Sequence, residues 1–188
     1  MVRYYLGHKY KYIWYVVPKC GRTSLLYWLK KHNLIEQEKK GLSTGDSLSV
    51  KHNEYFTFAF CRNPYDRLVS AYFDKVVKQK LPLYKRWKDK SFKEFANDVC
   101  DMPTGKVDGH IVPQVFLIPE NLDFLGRFEN LNQDIQTVTN KLFNINFDNR
   151  CYNASEHNHY LEYYNKALRD KVYAKYKEDF ERFGYDSE

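Results

Sequence analysis

The stretch YVVPKCGRTSLLYWL, residues 15–29, decides the fold of this chain. It completes an apolar, β-branched run from Tyr12 to Val17, which predicts a short buried strand that Pro18 ends. Leucines with helical spacing follow from Leu25 onward, so the stretch predicts a strand, a tight loop and a helix. The loop brings a glycine, two cations and two hydroxyls to the helix N-terminus, where free N–H groups and the helix dipole attract anions.

Two interpretations of this loop are open at this point. It binds a phosphate or sulfate, or it is an ordinary strand–helix turn that carries Lys19 and Ser24 without using them. It is not a Walker A loop, because the pattern G-x-x-x-x-G-K-[ST] is missing. A second stretch, EYFTFAFCRNPYDRLVSAYF at residues 54–73, repeats the architecture and favours anion binding.

The second stretch predicts its own strand and helix boundaries. Its apolar residues 55–61 form a strand, Asn63 is a favourable N-cap and Pro64 suits the first helical position. Arg62 therefore stands at the end of a strand, and Ser70 lies about two turns inside the helix.

The remaining segments continue the alternation of strands and helices. Loops or segments without a clear period are expected at residues 1–10, 36–54, 101–114 and 151–160. The sequence predicts a helix over residues 91–99 capped by Ser91, a strand within residues 122–131, a helix over about residues 131–143, and a last helix ended by Gly184. This alternation favours an α/β fold with a small parallel sheet, formed by one domain over residues 1–188.

The composition is that of a folded protein. The chain has 188 residues, of which 43% are hydrophobic, and a net charge of +6. Its four cysteines are widely spaced and form no C-x-x-C pair, so we expect neither a zinc nor a redox site. The N-terminal sequence has no apolar segment long enough for a signal peptide or a membrane span. If Met1 is the true start, we expect a cytoplasmic protein; a luminal domain cut from its anchor would have the same features.

Basic side chains are concentrated in residues 75–93. This segment has eight basic residues and one acidic residue, so its net charge is +7. The local excess indicates either one anionic partner or a solvated helix end and loop. The basic residues are Lys75, Lys78, Lys80, Lys85, Arg86, Lys88, Lys90 and Lys93.

The motifs PKCGRTS (residues 18–24) and RNPYDRLVSAY (residues 62–72) resemble the two cofactor motifs of sulfotransferases that use 3′-phosphoadenosine-5′-phosphosulfate (PAPS). The chain is similar in particular to the carbohydrate sulfotransferase-like family, which has compact bacterial and viral members. The resemblance covers most of the chain, because SFKEF, HIVPQ, DFLGRFENL, CYNAS and VYAKYKEDFERFGY follow in the family's order. It implies a P-loop-kinase-like, three-layer α/β/α sandwich.

The resemblance also implies which residues bind the cofactor. The first loop of the family holds the 5′-phosphosulfate, and the matching residues are Lys19, Cys20, Gly21, Arg22, Thr23 and Ser24. The second motif binds the 3′-phosphate, which implies Arg62 and Ser70. Arg22 departs from the family, where a small residue is more usual, and it either assists the sulfate or points to solvent.

Sulfuryl transfer requires positioning, charge stabilisation at the leaving phosphate and a base for the acceptor hydroxyl. We expect Lys19 to stabilise the leaving phosphate. His110, which follows a glycine in a loop, is the preferred base. The alternative bases are His52, Glu54 and Asp108.

The sequence therefore predicts a PAPS-dependent sulfotransferase whose expected acceptor is a carbohydrate hydroxyl. Gln114 either hydrogen-bonds this acceptor or caps a turn. Two other functions are the alternatives: a nucleotide or small-molecule kinase of the same fold, and a basic, aromatic-rich nucleic-acid-binding module. We expect no metal centre and no nucleic-acid partner.

Overall fold

A computed structural model of the chain describes residues 2–41, 54–78, 82–148 and 158–187. Within it the chain divides into two compact units. The first unit comprises Met1–Arg62 and Gln114–Asn153, and the second comprises Asn63–Pro113 and Ala154–Glu188. The single domain over residues 1–188 stays a prediction.

The first unit contains a five-stranded sheet. Its strands are β1 (Val2–Gly7), β2 (Tyr12–Val16), β3 (Gln37–Gly41), β4 (Phe56–Cys61) and β5 (Phe124–Arg127). Their order across the sheet is β3-β1-β2-β4-β5. Strands β2, β4 and β5 are parallel, whereas β1 is antiparallel to β2 and to β3. The sheet is therefore mixed, and the prediction of a parallel sheet is correct only for β2, β4 and β5.

Two of these strands lie where the sequence predicts none. β1 falls in residues 1–10, and β3 begins the segment 36–54 that was expected to be a loop. β3 pairs with β1 in a register that sets Leu6 opposite Gln37. A polar sequence can take this position because ladder hydrogen bonds use only backbone groups.

Five α-helices occur in the described part of the chain. They are α1 (Arg22–Lys31), α2 (Pro64–Ala71), α3 (Phe92–Asp101), α4 (Leu131–Phe143) and α5 (Lys166–Phe183). Helices α1 and α4 belong to the first unit, and α2, α3 and α5 belong to the second.

Aromatic side chains form much of the first unit's core. Every residue of β2 is buried, which is why its sequence is apolar without alternation. The Trp14 ring stacks on the rings of Tyr5 in β1 and Phe58 in β4, with centroid distances of 5.2 Å and 6.2 Å. The rings of Tyr12 and of Phe143 in α4 pack edge to face with their centroids 5.8 Å apart, so an aromatic contact also joins the sheet to this helix.

The second unit has its own hydrophobic core. Its fully buried residues include Phe95 of α3 and Tyr176 and Phe180 of α5. Helix α2 continues directly into a π-helix over Tyr72–Val77. The Tyr176 hydroxyl donates to the Ile111 carbonyl at 2.6 Å, which ties the last helix to the loop that contains His110.

Helix ends follow the capping residues that the sequence predicts. The Asn63 side chain accepts from the Tyr65 amide, and Pro64 is the first residue of α2. Ser91 and Glu94 form a capping box at the start of α3. Gly184 ends α5 with a left-handed backbone, φ 62°. The α/β class and its P-loop-like character are confirmed. None of the helices in the described ranges combines the length and apolarity that a membrane span requires.

The loop between β2 and α1 has an unusual backbone. Lys19 and Gly21 both have left-handed φ angles, 74° and 77°. A Cβ atom on Gly21 would stand 2.6 Å from the Leu131 side chain of α4. Glycine is therefore required here both by the backbone conformation and by the close approach of α4.

We expect Gly21→Ala to lower the free energy of unfolding by about 1–2 kcal/mol, because a side chain would meet left-handed strain and crowd Leu131. Urea unfolding measures this change. Gly105→Ala is the matched control: its added Cβ would enter open space, so its effect should stay within about 0.5 kcal/mol. Equal effects of the two substitutions would contradict the prediction.

Candidate functional site

The candidate site of the first unit lies at the carboxyl ends of β2 and β4. Tyr15 pairs with Ala59 in parallel register, so the segments that follow the two strands leave the sheet side by side. Ligands of α/β proteins bind at this edge of the sheet. Here the guanidinium of Arg62 reaches the first loop, and its Nη1 donates to the Lys19 carbonyl at 3.0 Å. Arg62, the first residue of the second motif, is thus in direct contact with the first loop.

Arg62 is almost completely buried. Only 5% of its surface is exposed, and its guanidinium carbon lies 3.9 Å from the centroid of the Phe128 ring, just after β5. A cation over an aromatic face is attracted by the ring quadrupole. The Lys19 carbonyl and the Phe128 ring therefore both hold the guanidinium.

Gln114 holds the backbone of Arg62. Its Oε1 accepts from the Arg62 amide at 3.0 Å, and its Nε2 donates to the Arg62 carbonyl at 2.9 Å. The Cys20 thiol also donates to Gln114 Oε1, at 3.4 Å. Gln114 is fully buried and Cys20 is 2% exposed. The sequence suggested an acceptor contact or a turn cap for Gln114, whereas its amide bonds the backbone of the second motif.

The start of α1 carries the remaining residues of the first motif. Arg22 is half-buried, and its Nη2 donates to the Tyr5 hydroxyl of β1 at 2.8 Å. Of the two predicted hydroxyl residues, Thr23 is exposed and Ser24 is buried. No acidic residue stands in the first turn of α1, so the helix N-terminus keeps its positive dipole end uncompensated by a carboxylate of its own.

The predicted site residues are divided between the two units. Lys19 to Ser24 and Arg62 are together in the first unit, whereas Ser70 and His110 belong to the second. Ser70 lies in α2 with 2% of its surface exposed.

His110 forms a polar cluster with two neighbours in the second unit. Its Nδ1 lies 3.2 Å from Asp108 Oδ1, and its backbone amide donates to the same oxygen at 2.7 Å. The Tyr84 hydroxyl donates to that oxygen at 2.9 Å. Because an ionised carboxylate only accepts, this contact favours the proton on Nδ1 and leaves the Nε2 lone pair of the neutral ring available.

Asp108 remains ionised in this cluster. Burial by itself would raise the pKa of Asp108, but hydrogen bonds from His110 and Tyr84 outweigh it and lower that pKa below its ordinary value. Burial and the adjacent carboxylate raise the pKa of Tyr84, so its hydroxyl stays protonated and remains a donor. At neutral pH, Asp108 is therefore an ionised acceptor beside the imidazole.

Arg67 clamps the loop that carries His110. It projects from α2 with 2% of its surface exposed. Its Nη1 donates to the Val112 carbonyl at 2.8 Å, and its Nη2 donates to the Gly109 carbonyl at 2.9 Å. Sequence reasoning missed both Arg67 and Tyr84. The sequence around Arg67 carried no distinct signal, because the adjacent Asp66 and the residue one turn later, Ser70, are polar as well.

The other candidate bases differ in their surroundings. Glu54 is exposed and pairs with Lys11 at 2.6 Å. Its hydrogen bond with Lys11 lowers the pKa of Glu54. His52 lies outside the described residues.

Several cations of the basic segment, residues 75–93, have local partners. Lys75 pairs with Asp74 at 2.9 Å, and Lys90 pairs with Asp98 at 2.6 Å. The guanidinium of Arg86 stacks on the neighbouring indole at 3.9 Å. Exposed positions in this segment include Lys85, Lys88 and Lys93. Part of the excess charge thus supports local structure, and part of it faces solvent.

Comparison with known proteins identifies the family. A sequence model of the sulfotransferase family matches residues 2–186. No curated protein and no solved structure matches the chain at the significance that we required. The family match covers both motifs, β5 and the last helix, and it confirms the resemblance found from the motifs. The chain therefore belongs to the sulfotransferase family, whose members transfer sulfuryl groups.

Proposed function

We propose that this protein transfers a sulfuryl group from PAPS to a hydroxyl of a carbohydrate. The observation that carries the proposal is the hydrogen bond from Arg62 Nη1 to the Lys19 carbonyl, which joins the first residue of the second motif to the first loop within the first unit. A donor with a 5′-phosphosulfate and a 3′-phosphate needs two anion sites at a fixed spacing. The loop of residues 18–24 and Arg62 are suited to these two tasks.

The residues of the first loop fit a phosphosulfate. Gly21 has the backbone freedom that a close approach to an anion requires, and α1 begins at the next residue. Lys19 and Arg22 supply positive charge, although the hydrogen bond to Tyr5 directs Arg22 toward β1. In our proposal the backbone amides at the start of α1, with Thr23 and Ser24, bind the 5′ end, and Arg62 and Ser70 bind the 3′-phosphate.

Lys19 and His110 have the two catalytic roles in this proposal. PAPS, when bound, supplies the sulfuryl group that the acceptor oxygen takes up. Lys19 neutralises the negative charge that develops on the leaving phosphate. His110 Nε2 takes the proton of the acceptor hydroxyl, and Asp108 stabilises the imidazolium that results. Arg67 keeps the His110 loop in place through its carbonyls.

The carbohydrate acceptor is supported by the resemblance of the motifs and by exposed cations. Lys85, Lys88 and Lys93 are solvent-exposed residues of the basic segment, and they could attract an acidic saccharide. Screening acidic and neutral glycans with labelled PAPS tests this part of the proposal. Transfer to neutral glycans but not to acidic ones would exclude the basic segment as a site that attracts the acceptor.

We expect PAPS or adenosine 3′,5′-bisphosphate to stabilise the folded protein, because a ligand that binds only the native state raises its stability. At a concentration about a hundred times its Kd, the melting temperature should rise by about 5–10 °C. Differential scanning fluorimetry measures the shift. ATP with Mg²⁺ tests the kinase alternative, and an oligonucleotide tests the nucleic-acid-binding alternative. A larger shift with either of these than with the bisphosphate would overturn the proposal.

Substitutions of Lys19 and Arg62 should affect different kinetic constants. Lys19→Ala should lower kcat by about 10²–10³-fold with little change in donor affinity, because its charge matters most in the transition state. Arg62→Ala should mainly weaken donor binding, by about 10–100-fold, through the lost charge-assisted contact. Initial rates at varied PAPS separate the two effects. Lys30→Ala, an exposed lysine at the end of α1, is the control. The reverse pattern would exclude Lys19 as the stabiliser of the leaving group.

His110 and Asp108 should act together on turnover. His110→Ala should lower kcat by about 10²–10⁴-fold. Asp108→Asn keeps the oxygen that accepts from Tyr84 and His110 but loses the charge, so kcat should fall about tenfold while the KM of the donor stays unchanged. Initial rates at varied PAPS and saturating acceptor measure kcat and the donor KM of both variants. Full turnover in His110→Ala would exclude it as the base.

A further inference from the structure

Gln114 is an unusual residue in the first unit because it is polar, fully buried and bonded to both motifs. Its amide forms a two-bond pair with the backbone of Arg62, at 3.0 Å and 2.9 Å. Its Oε1 also accepts from the Cys20 thiol in the first loop. The opposite orientation of the amide would set its NH₂ group against the Arg62 N–H, so the pattern of donors fixes how the side chain is placed.

The Arg62 backbone needs such a partner. β4 ends at Cys61, so Arg62 lies just beyond the sheet ladder, yet it is buried. A buried N–H or carbonyl that lacks a hydrogen bond costs free energy. The amide of Gln114 offers one acceptor and one donor side by side, as the backbone of an adjacent strand would. The Gln114 amide therefore continues the backbone hydrogen bonding of β4 by one residue, at the edge of the sheet that carries the proposed anion sites.

We propose that Gln114 is a positioning residue that fixes the spacing between the two anion sites of the donor. The side chain bonds the Arg62 backbone directly and the first loop through Cys20, while the Arg62 guanidinium bonds the Lys19 carbonyl. The loop and Arg62 are thereby held at one distance. This inference rests on the proposed PAPS-dependent function and adds a residue that contacts neither phosphate.

A positioning role and a purely structural role of Gln114 predict different changes in nucleotide affinity when Gln114 is substituted. A ligand with a 3′-phosphate and a 5′-phosphate uses both sites at once, so its affinity depends on their spacing. A ligand with the 5′-phosphate alone uses one site and is insensitive to that spacing. General destabilisation lowers the apparent affinity of both ligands by the same factor. The ratio of the two affinities therefore reports positioning.

Titration calorimetry with adenosine 3′,5′-bisphosphate and with adenosine 5′-monophosphate gives this ratio. In Gln114→Met, which keeps the size but loses both hydrogen bonds, affinity for the bisphosphate should fall by about tenfold or more, and affinity for the monophosphate by less than about threefold. Gln114→Asn keeps the amide but draws it back by one methylene, and it should show a smaller change in the same direction.

Two controls separate the explanations. Gln136→Met removes another glutamine of the first unit that accepts from a backbone amide, that of Phe147 at 2.8 Å, and its affinity ratio should equal the wild-type ratio. Wild-type protein that binds no bisphosphate contradicts the proposed function itself. Wild-type binding combined with an unchanged ratio in Gln114→Met and Gln114→Asn, or with loss of folding in both, would overturn the inference and leave Gln114 a structural residue.

Discussion

The structure of the first unit depends on how the chain satisfies its backbone polar groups where the parallel strands end. Inside the sheet, each strand is paired by its neighbours. Beyond Cys61 the ladder stops, but the chain is still buried, so Arg62 must find hydrogen-bond partners elsewhere. The Gln114 amide provides them. Because that amide also accepts from Cys20, one buried side chain sets both the end of β4 and the loop after β2.

A similar solution holds the polar cluster of the second unit. The loop with His110 has no regular strand or helix to pair its carbonyls, and Arg67 from α2 donates to two of them. The cost of burying a guanidinium is offset by these charge-assisted bonds. Asp108 is ionised because His110 and Tyr84 donate to it, so its charge is available beside the imidazole at neutral pH. In both units, a buried polar side chain from elsewhere in the sequence sets the geometry of a loop.

The sequence was sufficient to predict the strands and helix ends that have a recognisable local side-chain pattern. β2 and β4 are apolar because they are buried in the middle of the sheet, and Asn63, Ser91 and Gly184 mark helix ends through their local chemistry. β3 was missed because its residues, QEKKG, have no apolar pattern and its place in the sheet depends on backbone pairing with β1. The motifs assigned Lys19 and Arg62 to the two ends of one cofactor, and this assignment stays a prediction. The contacts of Gln114, Arg67 and Arg22 were not predictable, because each joins residues far apart in sequence.

The place of Gln114 in the chain explains why one residue can have this effect. The chain leaves the first unit after Arg62 and returns to it at Gln114. The Gln114 side chain bonds the Arg62 backbone, so the two ends of the intervening segment, residues 63–113, are held together by these hydrogen bonds. Closing a long segment in this way costs conformational entropy, and the free energy of the two buried hydrogen bonds opposes that cost. The same closure lies beside the Lys19 carbonyl, to which the Arg62 guanidinium donates. The path of the chain and the geometry of the first loop therefore depend on the same pair of residues.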